Sequence, residues 1–228
     1  MDENALRIEV ATCCRLLEYL ELFDFSGHAS VKIPGTDYLL INSRKSVRSN
    51  LGPQDIIKVN CRDDVFAPDS PAPAEVYIHT LIYRRRPEIK AITHTHSPAV
   101  IGLSTTGKKF VPITCRAAIF AAGVPLYDHS RTIVDPATGQ ELAETLGERQ
   151  AVIMRGHGAV VVADNLPALL FSALSLELNA QFQLTAYQAG VEPRPLSSEE
   201  LEEGRHHYGP ATFAKAWQYY ADKAALKI

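Results

Sequence analysis

With 228 residues, 46% hydrophobic and 21% charged, the chain is long enough to bury a substantial core and has an ordinary globular composition. A net charge of −3, no basic stripe and no apolar run near the roughly 20 residues of a bilayer span argue against nucleic acid or a membrane as partner. The acidic start Met1-Asp2-Glu3-Asn4 is not followed by a signal-type apolar core, so a cytoplasmic location is expected.

In chain order, residues 3–22 read as an amphipathic helix, with Leu6, Val10, Cys13, Leu17 and Leu20 at three- and four-residue spacing. Phe23–His28 reads as a turn into a strand over 29–33. Pro34-Gly35-Thr36-Asp37 is a hairpin turn, and 38–42 is the returning strand. A short strand is expected over 56–60 and a helix over 74–85, bracketed by Pro73 and Pro87. Strand 89–96 follows, then a short helix from Pro98. Segments 110–113 and 125–127 are strand-like, and 139–146 is helical.

Segments 151–154 and 159–163 read as the arms of a hairpin with His157 at its tip. The longest helix is expected over 166–189, capped by Asp164 or Asn165 and ended by Gly190. A last helix covers about 211–225, within a helical tail at about 191–228. Cys13, Cys14, Cys61 and Cys115 form no Cys-x-x-Cys pair and read as buried free thiols. Hairpin-like pairs mixed with helices predict one α/β domain over 1–228. Its layers are α/β/α around a central, mainly antiparallel sheet.

The segment Ile92-Thr93-His94-Thr95-His96 carries the sharpest chemical signal. Side chains two apart on a strand share a face, so His94 and His96 present two imidazoles side by side. Arg155-Gly156-His157-Gly158 adds a third between glycines, where backbone can approach a ligand closely. Three neutral nitrogen donors with an open position suit a catalytic zinc, manganese, iron or cobalt ion. Glu75 begins a helix, where the macrodipole favours its anion. His79 lies one turn further on.

The order of Ser26-Gly27-His28-Ala29-Ser30, the Pro-Ala-Glu75 helix start, His94-Thr95-His96 and Gly156-His157-Gly158 resembles the class II aldolase/adducin family over about residues 8–190. The resemblance implies that His94, His96 and His157 bind one divalent metal ion, with Glu75 as acid/base. It also implies a homotetramer, or a multiple of one, with active sites at subunit interfaces. Where sugar-phosphate aldolases of the family hold phosphate with a Gly-Asn pair, small hydroxyl residues and two serines, this chain has Gly27-His28, Asn42-Ser43-Arg44 and Pro73-Ala74.

An imidazole and a guanidinium there favour a planar carboxylate, which Arg grips with a two-pronged fork. The turn Ser-Gly-His, Ser43-Arg44 and the run 146–158 are similar to the family's decarboxylase branch, which acts on hydroxylated aromatic or pyridine dicarboxylates. The implied activity is a non-oxidative decarboxylase of such an acid, with His28 and Glu75 catalytic and Arg44, Ser43, Arg48 and Tyr127 about the substrate. The alternatives are an aldolase for a non-phosphorylated hydroxy-keto acid or sugar and, last, a non-catalytic adducin-like module. His129, His206 and His207 lie in polar sequence expected to be loop.

Overall fold

A computed structural model describes residues 2–67 and 69–225. Among the described residues, seven strands form one sheet in the order β3-β2-β1-β4-β7-β6-β5. They are β1 (His28–Lys32), β2 (Tyr38–Asn42), β3 (Ile56–Asn60), β4 (Ala91–Thr95), β5 (Leu126–Tyr127), β6 (Ala151–Met154) and β7 (Gly158–Ala163). Every neighbouring pair is antiparallel except β5 with β6. The helices are α1 (Glu3–Tyr19), α2 (Val76–Arg85), α3 (Pro98–Ser104), α4 (Pro136–Leu146), α5 (Leu166–Gln188), α6 (Ser198–His207) and α7 (Pro210–Lys223).

The period of two along the strands sorts the core into two layers. Ala29, Val31, Ala91, Ala159 and Val161 pack with α1 and α5 on one face. Leu39, Ile41, Ile92, Val160 and Val162 pack with α2 and α4 on the other. By the same alternation His28, Ser30 and His94 belong to the α2 face. Helix α5 is buried around much of its circumference, because α1, α3 and α7 cover what the sheet does not.

Local chemistry sets the helix starts. Asp135 accepts a hydrogen bond from the Thr138 amide and Asn165 from the Ala168 amide, each at 2.9 Å, with proline in the first turn of both helices. Helix α4 therefore begins at Pro136, earlier than its apolar pattern.

Four expectations are corrected. Segment 110–113 is not a strand: Val111, Ile113 and Thr114 donate their amides to the side chains of Gln183 and Asn179 on α5, which replace a neighbouring strand. Strand β4 stops at Thr95, and the His96 amide turns to Leu22 O at 3.0 Å. Cys115 is exposed, at the start of a short 3-10 helix over Cys115–Phe120, whereas Cys13, Cys14 and Cys61 are buried. His206 and His207 end helix α6, which starts with a Ser197–Glu200 capping box. The predicted tail thus contains α6 and α7, and its last three residues lie outside the described ones.

Candidate metal centre

The site forms where β1, β4 and the β6–β7 turn end together beneath the start of α2. His28 pairs with His94 across β1 and β4, and His94 pairs with Val160 of β7. Met154 and Gly158 close the antiparallel turn that carries His157. Gly158 is required there, because a Cβ would run into the carbonyl oxygen of Thr95. On the other side, Gly27 has φ +88°, a left-handed turn that delivers His28 to the head of β1.

Glu75, His94, His96 and His157 bring one donor atom each to within 4.8 Å of one another, and all four are buried or half-buried. Nε2 of His94 lies 3.1 Å from Nε2 of His96 and 3.4 Å from Oε2 of Glu75. Nε2 of His157 lies 3.6 Å from the same carboxylate oxygen. On the far side of each ring, Nδ1 meets an acceptor. His94 donates to Ala159 O at 3.1 Å and His157 to Arg131 O at 3.0 Å. His96 faces Asp24 Oδ1 at 3.1 Å and Ser26 Oγ at 3.0 Å.

With hydrogen on each Nδ1, all three inward nitrogens are lone pairs. Two bare lone pairs 3.1 Å apart beside a carboxylate repel one another unless a cation lies between them. The donor set therefore fits a divalent ion, with nitrogen ligands held from behind by oxygen acceptors.

The electrostatics agree. Burial opposes ionisation of Glu75, but the imidazoles of His157, His94 and His28 around it hold its carboxyl well below the usual carboxylate range. Its Oε1 also accepts the Ile133 amide at 2.9 Å. Glu75 is thus an anion. His28 is the reverse case: burial, then His79 and His94 beside it, push its proton affinity well down. Burial likewise pushes His79 down to about 3. Both rings are neutral near pH 7.

The other candidate residues fall in different places. His79 does not reach Glu75; its Nε2 is 2.7 Å from Nδ1 of His28. Ser43 is buried, with its hydroxyl on Pro71 O at 3.1 Å. Arg44 is exposed in the same loop, and its amide donates to Pro71 O at 2.9 Å. Arg48 departs from the expected substrate contact. It is 5% exposed and donates to the carbonyls of Gly27, Ser43 and Ser46, so its charge fastens the loop to the turn before His28.

Tyr127 is buried as well. Its hydroxyl accepts from Arg131 and donates to Glu141, which steadies the residue whose carbonyl holds His157. His206 is in α6 and pairs with Glu202. A cavity of about 660 Å³, lined by Lys32, Asp37, Glu88 and Asn165, opens at the opposite ends of β1 and β4, away from the four donors.

Sequence reasoning missed Asp24 and Ser26, which read as turn residues, and Asn42, whose buried amide group ties Ala29 N and Gly27 O together. Asp24-x-Ser26 is a local hydrogen-bonded pattern, and that was the available signal. The backbone acceptors at Ala159 and Arg131 carry no side-chain signal.

The sequence pattern of the Class II Aldolase and Adducin N-terminal domain matches residues 8–184. The chain is 30% identical over 203 residues to a 3,4-dihydroxyphthalate decarboxylase of Rhodococcus jostii (strain RHA1), covering 83% of each protein. The fold is that of an aldolase II superfamily protein from Pseudomonas syringae, with TM-score 0.82 and 22% identity over 97% of this chain and 92% of the other. It is also that of L-fuculose 1-phosphate aldolase from Glaciozyma antarctica PI12, with TM-score 0.80 and 20% identity over 98% and 92%. With the pattern matched across most of the chain and the fold in common, the protein belongs to the class II aldolase and adducin family.

Proposed function

We propose that the chain is a metal-dependent carbon–carbon lyase, and specifically a non-oxidative decarboxylase of a hydroxylated aromatic or pyridine carboxylate. The observation that carries this reading is the convergence of three Nε2 lone pairs and an ionised Glu75 beside a neutral His28. The likeness to a dihydroxyphthalate decarboxylase supports the substrate class. His94, His96 and His157, with Glu75 in reach, would hold one divalent ion: zinc or manganese, with iron(II) or cobalt as further candidates. When bound, the ion supplies Lewis acidity that favours an ionised hydroxyl on the substrate.

His28 then takes the hydroxyl proton and returns it to the ring carbon bearing the carboxylate. The carbon–carbon bond breaks, its electron pair goes back to the ring, and carbon dioxide leaves. The ring oxygen recovers its proton from solvent, so one proton is consumed per turnover. Glu75, held as an anion within the same cluster, is the second acid/base candidate for that proton transfer. In this reading Arg44 grips a second carboxylate from the exposed loop after β2.

The runner-up is aldol cleavage of a non-phosphorylated hydroxy-keto acid or sugar, which the shared fold with a sugar-phosphate aldolase favours. A non-catalytic module has no use for four converging donors, and it ranks last. A homotetramer with interfacial sites remains part of the proposal. The test compares carbon dioxide release from ortho-hydroxy aromatic diacids with aldehyde release from hydroxy-keto acids, after loading with each metal. His94→Ala is expected to lower bound metal below a tenth and turnover by at least about 1000-fold. Full activity in that variant refutes the reading, and cleavage of hydroxy-keto acids alone selects the runner-up.

A further inference from the structure

Four buried side chains form an unbranched line of hydrogen bonds leading away from the candidate site. Nδ1 of His28 is 2.7 Å from Nε2 of His79, and Nδ1 of His79 is 2.7 Å from Oγ of Ser30. Ser30 Oγ is 3.0 Å from the Tyr83 hydroxyl. That hydroxyl also lies 3.3 Å from the carbonyl oxygens of Ser30 and of Lys90. The line follows from the fold: His28 and Ser30 share a face of β1, while His79 and Tyr83 are one turn apart on α2 above it.

All four residues are buried, and the line ends on carbonyl oxygens that accept only. It reaches no solvent and has no acid at its end, so it moves no net proton. What it decides is which ring nitrogens carry hydrogen.

Each link holds one hydrogen and can run in either direction. Running inward, Tyr83 donates to Ser30, Ser30 to His79 and His79 to His28. That makes three hydrogen bonds and leaves hydrogen on Nε2 of His28. Running outward, His28 donates to His79, His79 to Ser30, Ser30 to Tyr83, and Tyr83 to a carbonyl, for a total of four. One added buried hydrogen bond favours the outward direction by roughly fivefold to tenfold.

We infer that His28 and His79 are both held as the Nδ1–H tautomer by Ser30 and Tyr83, so that Nε2 of His28 is a bare lone pair beside the metal centre. The His94 ring is 5.1 Å from the His28 ring, and among the described residues the only hydrogen bond of the His28 ring is the one to His79. His79, Ser30 and Tyr83 are positioning residues, acting through His28. The consequence for turnover rests on the function proposed above: a bare Nε2 takes a substrate proton, whereas an Nε2–H does not.

The test is nitrogen NMR of the histidine rings, metal-free and zinc-loaded, in which protonated and bare ring nitrogens resonate in separate ranges. His28 and His79 are expected to carry hydrogen on Nδ1 in the large majority of molecules. Tyr83→Phe removes the hydroxyl that accepts from Ser30, so each direction makes two hydrogen bonds, the outward preference is lost and His28 becomes a mixture of both tautomers. Ser30→Ala removes the preference independently, since each direction then makes one hydrogen bond, and Ser30→Thr keeps the hydroxyl and restores the original pattern. In Tyr83→Phe, bare Nε2 falls to about half of the molecules and kcat by about twofold, with KM and metal content nearly unchanged.

A majority of Nε2–H on His28 in the unaltered protein, or no rise of Nε2–H in both deletion variants, overturns the inference. If the tautomers are as stated and no lyase substrate is turned over, the function reading fails and the tautomer assignment stands.

Discussion

The imidazoles of the centre differ in what holds them. His94 and His157 lean on backbone carbonyls, which no side-chain replacement removes, whereas His96 leans on Asp24 and Ser26. Asp24→Asn keeps the shape of that contact and removes the charge that raises the basicity of His96. Metal affinity is expected to fall by about 10–100-fold with the fold unchanged, as read by competition with a chelator of known affinity. An affinity equal to that of the unaltered protein would mean that Ser26 alone orients the ring. At this scale the His-x-His pair was readable because it rests on strand period alone. Asp24 and Ser26 were not, since a carboxylate and a hydroxyl around an exposed Phe25 look like any polar turn. Arg48 misled for the opposite reason: a loop arginine is ordinarily solvated, and this one is buried against three carbonyls.

Among the elements, the strands and most helices were readable from periodicity and caps, and the exceptions share a cause. Segment 110–113 is a short apolar run like a strand, yet the partners of its amides are the side chains of Asn179 and Gln183, far downstream, which no local pattern encodes. Asn179 is the main partner: Oδ1 accepts from the amides of Ile113 and Thr114, and Nδ2 donates to Val111 O at 2.8 Å. Asn179→Ala strands these buried groups and is expected to cost about 2–4 kcal/mol in denaturant unfolding. Asn179→Asp keeps the acceptor and loses the donor, so it should fall between the two. Equal stability of all three proteins would show that water replaces the side chain. Helix α6 was missed although Ser197-x-x-Glu200 announces it, because its acidic run offers little apolar periodicity.

For the whole molecule, the buried imidazoles couple stability to pH in a direction that can be worked out. His28, His79 and His96 all have lowered proton affinity in the fold, with burial as the leading cause. Unfolding restores each to about 6.5, so the unfolded chain binds more protons as pH falls below that value. Their contribution is complete above about pH 6.5 and is lost on acidification, for His79 until about pH 3. Each such group contributes a slope of about 1.4 kcal/mol per pH unit. His157 works the other way: burial lowers its proton affinity, but Glu75 beside it raises it more, so its contribution is full below about pH 6.5 and is lost as pH rises above that value. Carboxylates titrate mainly below this range, so the window from pH 6.5 to 5 isolates the histidines. The metal-free protein, which we propose unfolds as one cooperative domain, should lose stability throughout that window. Replacement of His79 by Gln should flatten the slope by about one proton's worth, whatever it does to stability at pH 8. A slope equal to that of the unaltered protein would mean that His79 is protonated in the fold. The tautomeric line from His28 to Tyr83 would then be interrupted at its second member.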